Sequence, residues 1–148
     1  MLGVNLLKGS DSLQQVPYSG VKLLKTKPED KVTKQLRFSY ACPASTGVRL
    51  EDTSLVTGEI TQICLHFPDG CDALVSVAFG HEQKWTCPST PETYIALNDA
   101  TPVFTFINEE IHRDDVLWVI IENADGSNAH TVSVIVTLEG VETPIGAL

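Results

Sequence analysis

Alternation with a period of two residues constrains this chain more than any other feature. In "HTVSVIVTLEG" (130–140), Val132, Val134, Val136 and Leu138 fall on one side of an extended strand, and Ser133, Ile135 and Thr137 on the other. The same period runs through "QLRFSYAC" (35–42), with Leu36, Phe38 and Tyr40 aligned. In "EITQICLHF" (59–67) it sets Ile63, Leu65 and Phe67 against Gln62, Cys64 and His66, and "DALVSVAFG" (72–80) groups Ala73, Val75, Val77 and Phe79. Shorter segments, "QKWTC" (83–87), "TYIAL" (93–97) and "PVFTFIN" (102–108), precede the strongly apolar "DVLWVIIEN" (115–123). "PDG" (68–70) and "ADGSN" (124–128) are turn signals, and each is expected to close a hairpin. No long helical period interrupts this pattern. The expectation is an all-β fold: an antiparallel β-sandwich of jelly-roll or Greek-key type with about eight strands over residues 35–140. An immunoglobulin-like sandwich is the weaker candidate, because the Cys–Trp–Cys core spacing is missing.

Residues 1–34 have a different texture. "LLKGSDSLQQVPYSGVKLLKTKPEDKVTK" mixes Gly, Pro, Ser and Lys with scattered apolar anchors (Leu6, Leu7, Val16, Tyr18, Leu23, Leu24) and no sustained period. It reads as an extended arm that docks on something else. Charge separates the same regions: residues 1–37 carry a net +4 and residues 38–148 a net −13, within a total of −9. Lys22, Leu23, Leu24, Lys25, Lys27, Lys31 and Lys34 are the candidate docking residues, and 141–148 form a short C-terminal tail.

The chemistry-bearing residues point to no reaction. "HFPDGCDALVSVAFGH" (66–81) gathers two His, two Cys and two Asp, but read as a hairpin it holds His66 beside the turn and His81 a strand length away. Cys42, Cys64, Cys71 and Cys87 form no C-x-x-C pair, and their disulfide state stays open. Cys64 and His66 share a strand face, yet no H-x-H, no Cys–His–Met set, no G-x-S-x-G and no phosphate-binding glycine loop is present. No catalytic residue, metal or cofactor is assigned. The acidic run of Glu109, Glu110, Asp114 and Asp115 reads as a solvated loop face. An acidic body repels phosphate, so no nucleic-acid partner is expected. The longest apolar run, "VLWVII" (116–121), is far short of the ~20 residues of a membrane helix. The start "MLGVNLLKGSDSLQQ" lacks a basic region followed by an apolar stretch, so synthesis without a secretory leader is expected. Because "VLWVII" is apolar on both faces, the strand is expected to lie centrally with its second face covered by another element or another subunit, and Leu117, Val119 and Ile121 are candidates for an interface with a partner.

"GEITQICLHFPDGCDALVSVAFGHEQKWTCP" (58–88), "YIALNDATPVFTF" (94–106) and "ENADGSNAHTVSVIVTLEG" (122–140) together resemble small single-domain β-sandwich virion proteins of tailed phages and related archaeal viruses. The resemblance covers about residues 58–140 and leaves the arm unmatched. It implies a non-enzymatic capsid decoration protein or a turret or spike-base protein, a trimer or pentamer of itself attached to a capsid shell protein. Assembly would take place in the host cytoplasm and the mature location would be the virion. The alternative is a ligand-binding sandwich for glycans or a host receptor, for which Trp85 and Tyr94 are the candidate contacts.

Overall fold

The computed structural model describes residues 30–142. They form eight strands and no helix: β1 (Val32–Cys42), β2 (Thr46–Thr53), β3 (Thr57–His66), β4 (Val75–His81), β5 (Lys84–Cys87), β6 (Val103–Ile111), β7 (Val116–Asn123) and β8 (His130–Val141). Two four-stranded antiparallel sheets stack face to face, ordered β1-β8-β3-β6 and β2-β7-β4-β5. Within them β1 pairs with β8, β2 with β7, β3 with β6 and β4 with β5. The body is therefore one long antiparallel hairpin, its tip at the β4–β5 turn, rolled so that β8 also meets β3 and β7 also meets β4. This is the jelly-roll arrangement expected from the sequence.

Alternation decides which side chains fill the space between the sheets. Ile63, Leu65 and Phe67, then Val75, Val77 and Phe79, and Val132, Val134, Val136 and Leu138 are all buried there. Against β8, a register shift between Ile60 and Gln62 inserts Thr61 as an extra residue, which turns both Ile60 and Ile63 inward. Ala73, by contrast, is exposed and precedes the strand with φ 60°.

Several expectations change. Neither "PDG" nor "ADGSN" closes a hairpin, because β3 and β4 belong to different sheets, as do β7 and β8. Turn chemistry specifies a reversal of direction, and the same reversal serves a crossover between sheets. "TYIAL" is not a strand: Ile95 alone bridges to Val77, through two 2.9 Å backbone hydrogen bonds. Its place in the count is taken by β2, where only Val48 and Leu50 alternate among charged and polar neighbours, as suits an exposed edge. The body also begins before residue 35. Lys34 lies within β1 opposite Leu138, and its ammonium meets Glu142 at 3.1 Å. Lys22, Leu23, Leu24, Lys25 and Lys27 lie outside the described residues, so their docking role is neither placed nor removed.

The proposed interface on β7 is overturned. Leu117, Val119 and Ile121 are 0% exposed and face the interior of the sandwich. The strand is apolar on its other face as well because the chain covers that face itself, as described next.

Candidate functional site

The most elaborated surface lies at the tip of the rolled hairpin. His81 pairs with Lys84, leaving Glu82 and Gln83 as a two-residue turn in which Glu82 takes φ 50°. That conformation is uncommon for a residue with a side chain, and β7 holds it in place. Glu82 N–H donates to the Val116 carbonyl (2.8 Å), the Val116 N–H donates to Glu82 Oε2 (2.5 Å), and the Trp118 indole donates to the Glu82 carbonyl (2.9 Å). Trp118 lies on the outer face of β7 yet is only 2% exposed. Trp85 packs edge-on against it with centroids 5.0 Å apart, and the Arg49 guanidinium sits 4.8 Å above its ring. Gly80 makes the indole's position possible, since a Cβ there would lie 2.1 Å from Trp118 Cζ2. Tyr94 completes the aromatic row, edge-on to Trp85 at 5.8 Å. Burial, followed by the charges of Glu122 and Glu92, pushes the Tyr94 phenol above its ordinary pKa.

An open hollow of about 830 Å³ adjoins this row, lined by Trp85 with Gln83, Glu82, Asn108, Glu110 and His112 among others. Trp85 is half-buried and borders the hollow, whereas Tyr94 stands behind it and does not.

Beneath the turn, polar groups meet between the two sheets. Glu109 pairs with the inward-facing Ile60, so its carboxylate enters the gap between β6 and β5. Lys84 Nζ stands 2.8 Å from Glu109 Oε2, an atom with no hydrogen-bond donor otherwise. His81, 7% exposed, places Nδ1 3.3 Å from the Thr86 hydroxyl and 3.9 Å from Glu109 Oε2. Hydroxyl, imidazole and carboxylate are thus neighbours, but not in an order that activates a nucleophile. That chemistry needs one ring nitrogen to take the hydroxyl proton while the other donates to the carboxylate. Here both oxygens address the same nitrogen. The cluster instead ties the two sheets together at their shared edge.

The other polar residues singled out in the sequence are occupied in fastening loops. His66 is exposed on the outer face of its sheet and hydrogen-bonds Thr101 (2.8 Å), far from the buried His81. Asn98, from the "IALND" segment, clamps the "PDG" turn: its Oδ1 accepts from the Gly70 and Asp72 N–H groups (2.9 and 2.8 Å), and its Nδ2 donates to Asp69 (3.2 Å). Asn123, 3% exposed, donates through Nδ2 to the carbonyls of Cys42 (3.0 Å) and Asn128 (2.9 Å) and accepts from the Asp125 N–H (2.9 Å). Asp125 in turn meets His130 at 2.8 Å and caps the Ser127 N–H at 2.9 Å. The His130 hydrogen bond, followed by the Ser127 and Asn128 N–H groups, draws the Asp125 carboxyl down to about 2.

All four cysteines are free thiols. Burial pushes Cys87 up to about 11, and burial together with Asp72 and Asp69 raises Cys71. These two therefore stay protonated at neutral pH, and neither is an activated thiolate. Cys64 is on the outer sheet face and Cys71 in the core, so they do not converge. Among the described residues, no three of His, Cys, Asp and Glu come together as a metal site.

Sequence reasoning missed Arg49, Glu82, Lys84 and Thr86, and it misread Glu109. The acidic run reads as a solvated loop face, but Glu109 and Glu110 lie within β6 and the Glu109 side chain is only 13% exposed, turned towards Lys84. Only Glu109 left a trace, since it sits two residues before the buried Ile111 and shares its face. No family model matches the chain, and no curated protein matches it. One solved structure, described as "Bacillus endospore appendages form a novel family of disulfide-linked pili", is similar in fold. The match covers 84% of this chain and 100% of that one, with 14% identity and a TM-score of 0.46. A likeness this slight bears on no functional argument, so the resemblance to virion proteins rests on the sequence motifs alone.

Proposed function

We propose that this chain is a non-enzymatic virion structural protein, a homo-oligomeric capsid decoration or turret subunit attached through its N-terminal arm. The observation that carries the proposal is how the polar residues of the three resembling segments are used. Asn98, Asn123, Asp125 and His130 each hold a loop to a strand end. The jelly roll they fasten has an apolar interior, as a rigid building block requires. The contrast between a basic arm and an acidic body supports attachment of one copy to another or to a shell.

The test compares the solution mass of the full chain with that of a chain starting at Asp30, at low and high salt. The cut falls there because β1 begins at Val32. A trimer or pentamer that becomes a monomer without the arm supports the proposal. Monomers of the full chain under every condition overturn it.

A second reading is favoured by one feature, the open hollow bordered by Trp85 and by amide and carboxylate side chains. Those groups suit a glycan, with an aromatic face for the ring and polar groups for the hydroxyls. Quenching or a spectral shift of Trp85 fluorescence across a glycan panel supports that reading, and an unchanged spectrum removes it.

A further inference from the structure

A second hollow, of about 590 Å³, opens on one side of the sandwich between β5 and β6. These are the outermost strands of the two sheets on that side. Cys87, Ile95, Val103, Phe104 and Phe106 line it, and no charged side chain does. Phe104 and Phe106 are half-buried against the core, and Val103 is 53% exposed. Among the described residues, β6 pairs with β3 on one side only, so its other edge offers unpaired backbone N–H and C=O groups. An exposed edge beside an apolar groove takes an extended peptide as an added strand, with alternate side chains entering the groove.

The chain contains one segment that fits. In "LGVNLL" (2–7), Leu2, Val4 and Leu6 recur at every second residue, and none of the six side chains is charged. Position also matters, because β1, into which the arm leads, forms the opposite edge of the sheet from β6. The 25 residue steps from Leu7 to Val32 can span up to ~80 Å, which reaches well past the ~15 Å width of three strand spacings.

We infer that Leu2–Leu7 of one copy lies as an added strand along β6 of a second copy, with Leu2, Val4 and Leu6 in the groove between β5 and β6. An arm leaving one edge and a groove on the other make a head-to-tail contact, which closes into a ring when the rotation between copies permits. The inference rests on the proposed arm-mediated assembly and names its receptor.

The test uses full chains. Leu6→Asp places a charge in the alternating segment and leaves the sequence of the body unchanged, and Thr105→Glu places a charge at an exposed position of the β6 edge. Each variant alone should fall to the 16.1 kDa of a single chain. An equimolar mixture should recover a species of twice that mass, because one intact arm then meets one intact groove. Thr105→Ser, which keeps the groove neutral, should assemble like the parent, and melting curves of all variants verify that the body is folded. Assembly that survives both charged substitutions overturns this contact while leaving arm-mediated assembly standing. Two monomeric variants that fail to complement each other also overturn it. So does an arm that protects only its own chain, seen as a monomeric parent whose melting temperature drops with Leu6→Asp. A parent that is monomeric at every salt overturns both proposals, with or without such a drop.

Discussion

Gly80 shows how a single missing side chain sets a local structure. The close approach of Trp118 and of the Lys84 carbonyl leaves no room for a Cβ, which would meet them at 2.1 and 2.3 Å. Gly80→Ala must displace the indole or the β4–β5 turn, and overpacking of this kind costs about 1–3 kcal/mol. The expected outcome is a lower urea midpoint, accompanied by a red-shifted Trp emission as the indole gains water. Asp125 gives a pH signature. Its carboxyl is depressed in the folded state from an ordinary 3.8 to about 2, so its contribution is complete above the ordinary value and lost as pH falls towards 2. Asp125→Asn should therefore melt below the parent at pH 7, and the gap should close between pH 4 and 2. A gap that stays constant across that range would assign the effect to loop geometry rather than to charge.

Among the strands, the outer face of β3 carries an unfavourable row. Glu59 is opposite Glu110 on β6 and opposite Glu139 on β8, and all three side chains are exposed. Against these three carboxylates, the hollow they line has one cation among the described residues, Lys31. Like charges directly opposite in a sheet destabilise it, each cross-strand pair contributing about 0.2–1 kcal/mol. Glu59→Gln relieves two such pairs at once and should raise the urea midpoint at low salt. Its advantage should shrink in high salt, where exposed charges are screened. Strand scale is also where the sequence pattern was most and least legible. β8 announced itself because four alternate residues are apolar and the strand sits between two partners. β2 did not, because an edge strand has little to bury and many charges to keep in water. β7 misled in a more instructive way: hydrophobicity on both faces was correctly read as burial on both faces, but the second cover is Trp85, Arg49 and the β4–β5 turn of the same chain.

For the described residues as a whole, the body should fold without residues 1–29, since the core cluster lies entirely within residues 36–138. A chain starting at Asp30 is expected to melt cooperatively and close to the parent once both are monomeric. A broad, non-cooperative transition would show instead that the arm completes the core. Much of this was settled by local order along the chain. Period-two alternation dictates strands, because an extended backbone sends neighbouring side chains to opposite faces, and enough half-apolar strands can bury their faces only by stacking as two sheets. The opposed net charges of residues 1–37 and 38–148 are likewise written in the sequence itself. Only the tertiary structure decided which strand lies beside which. A "PDG" turn reverses the chain equally well into a partner strand or across to the other sheet, and the difference depends on distant ladders such as β8 on β3. The tip cluster was hidden for the same reason. Arg49, Trp85, Glu109 and Trp118 come from four different strands, and nothing local to any of them encodes that rolling the hairpin gathers them at one end.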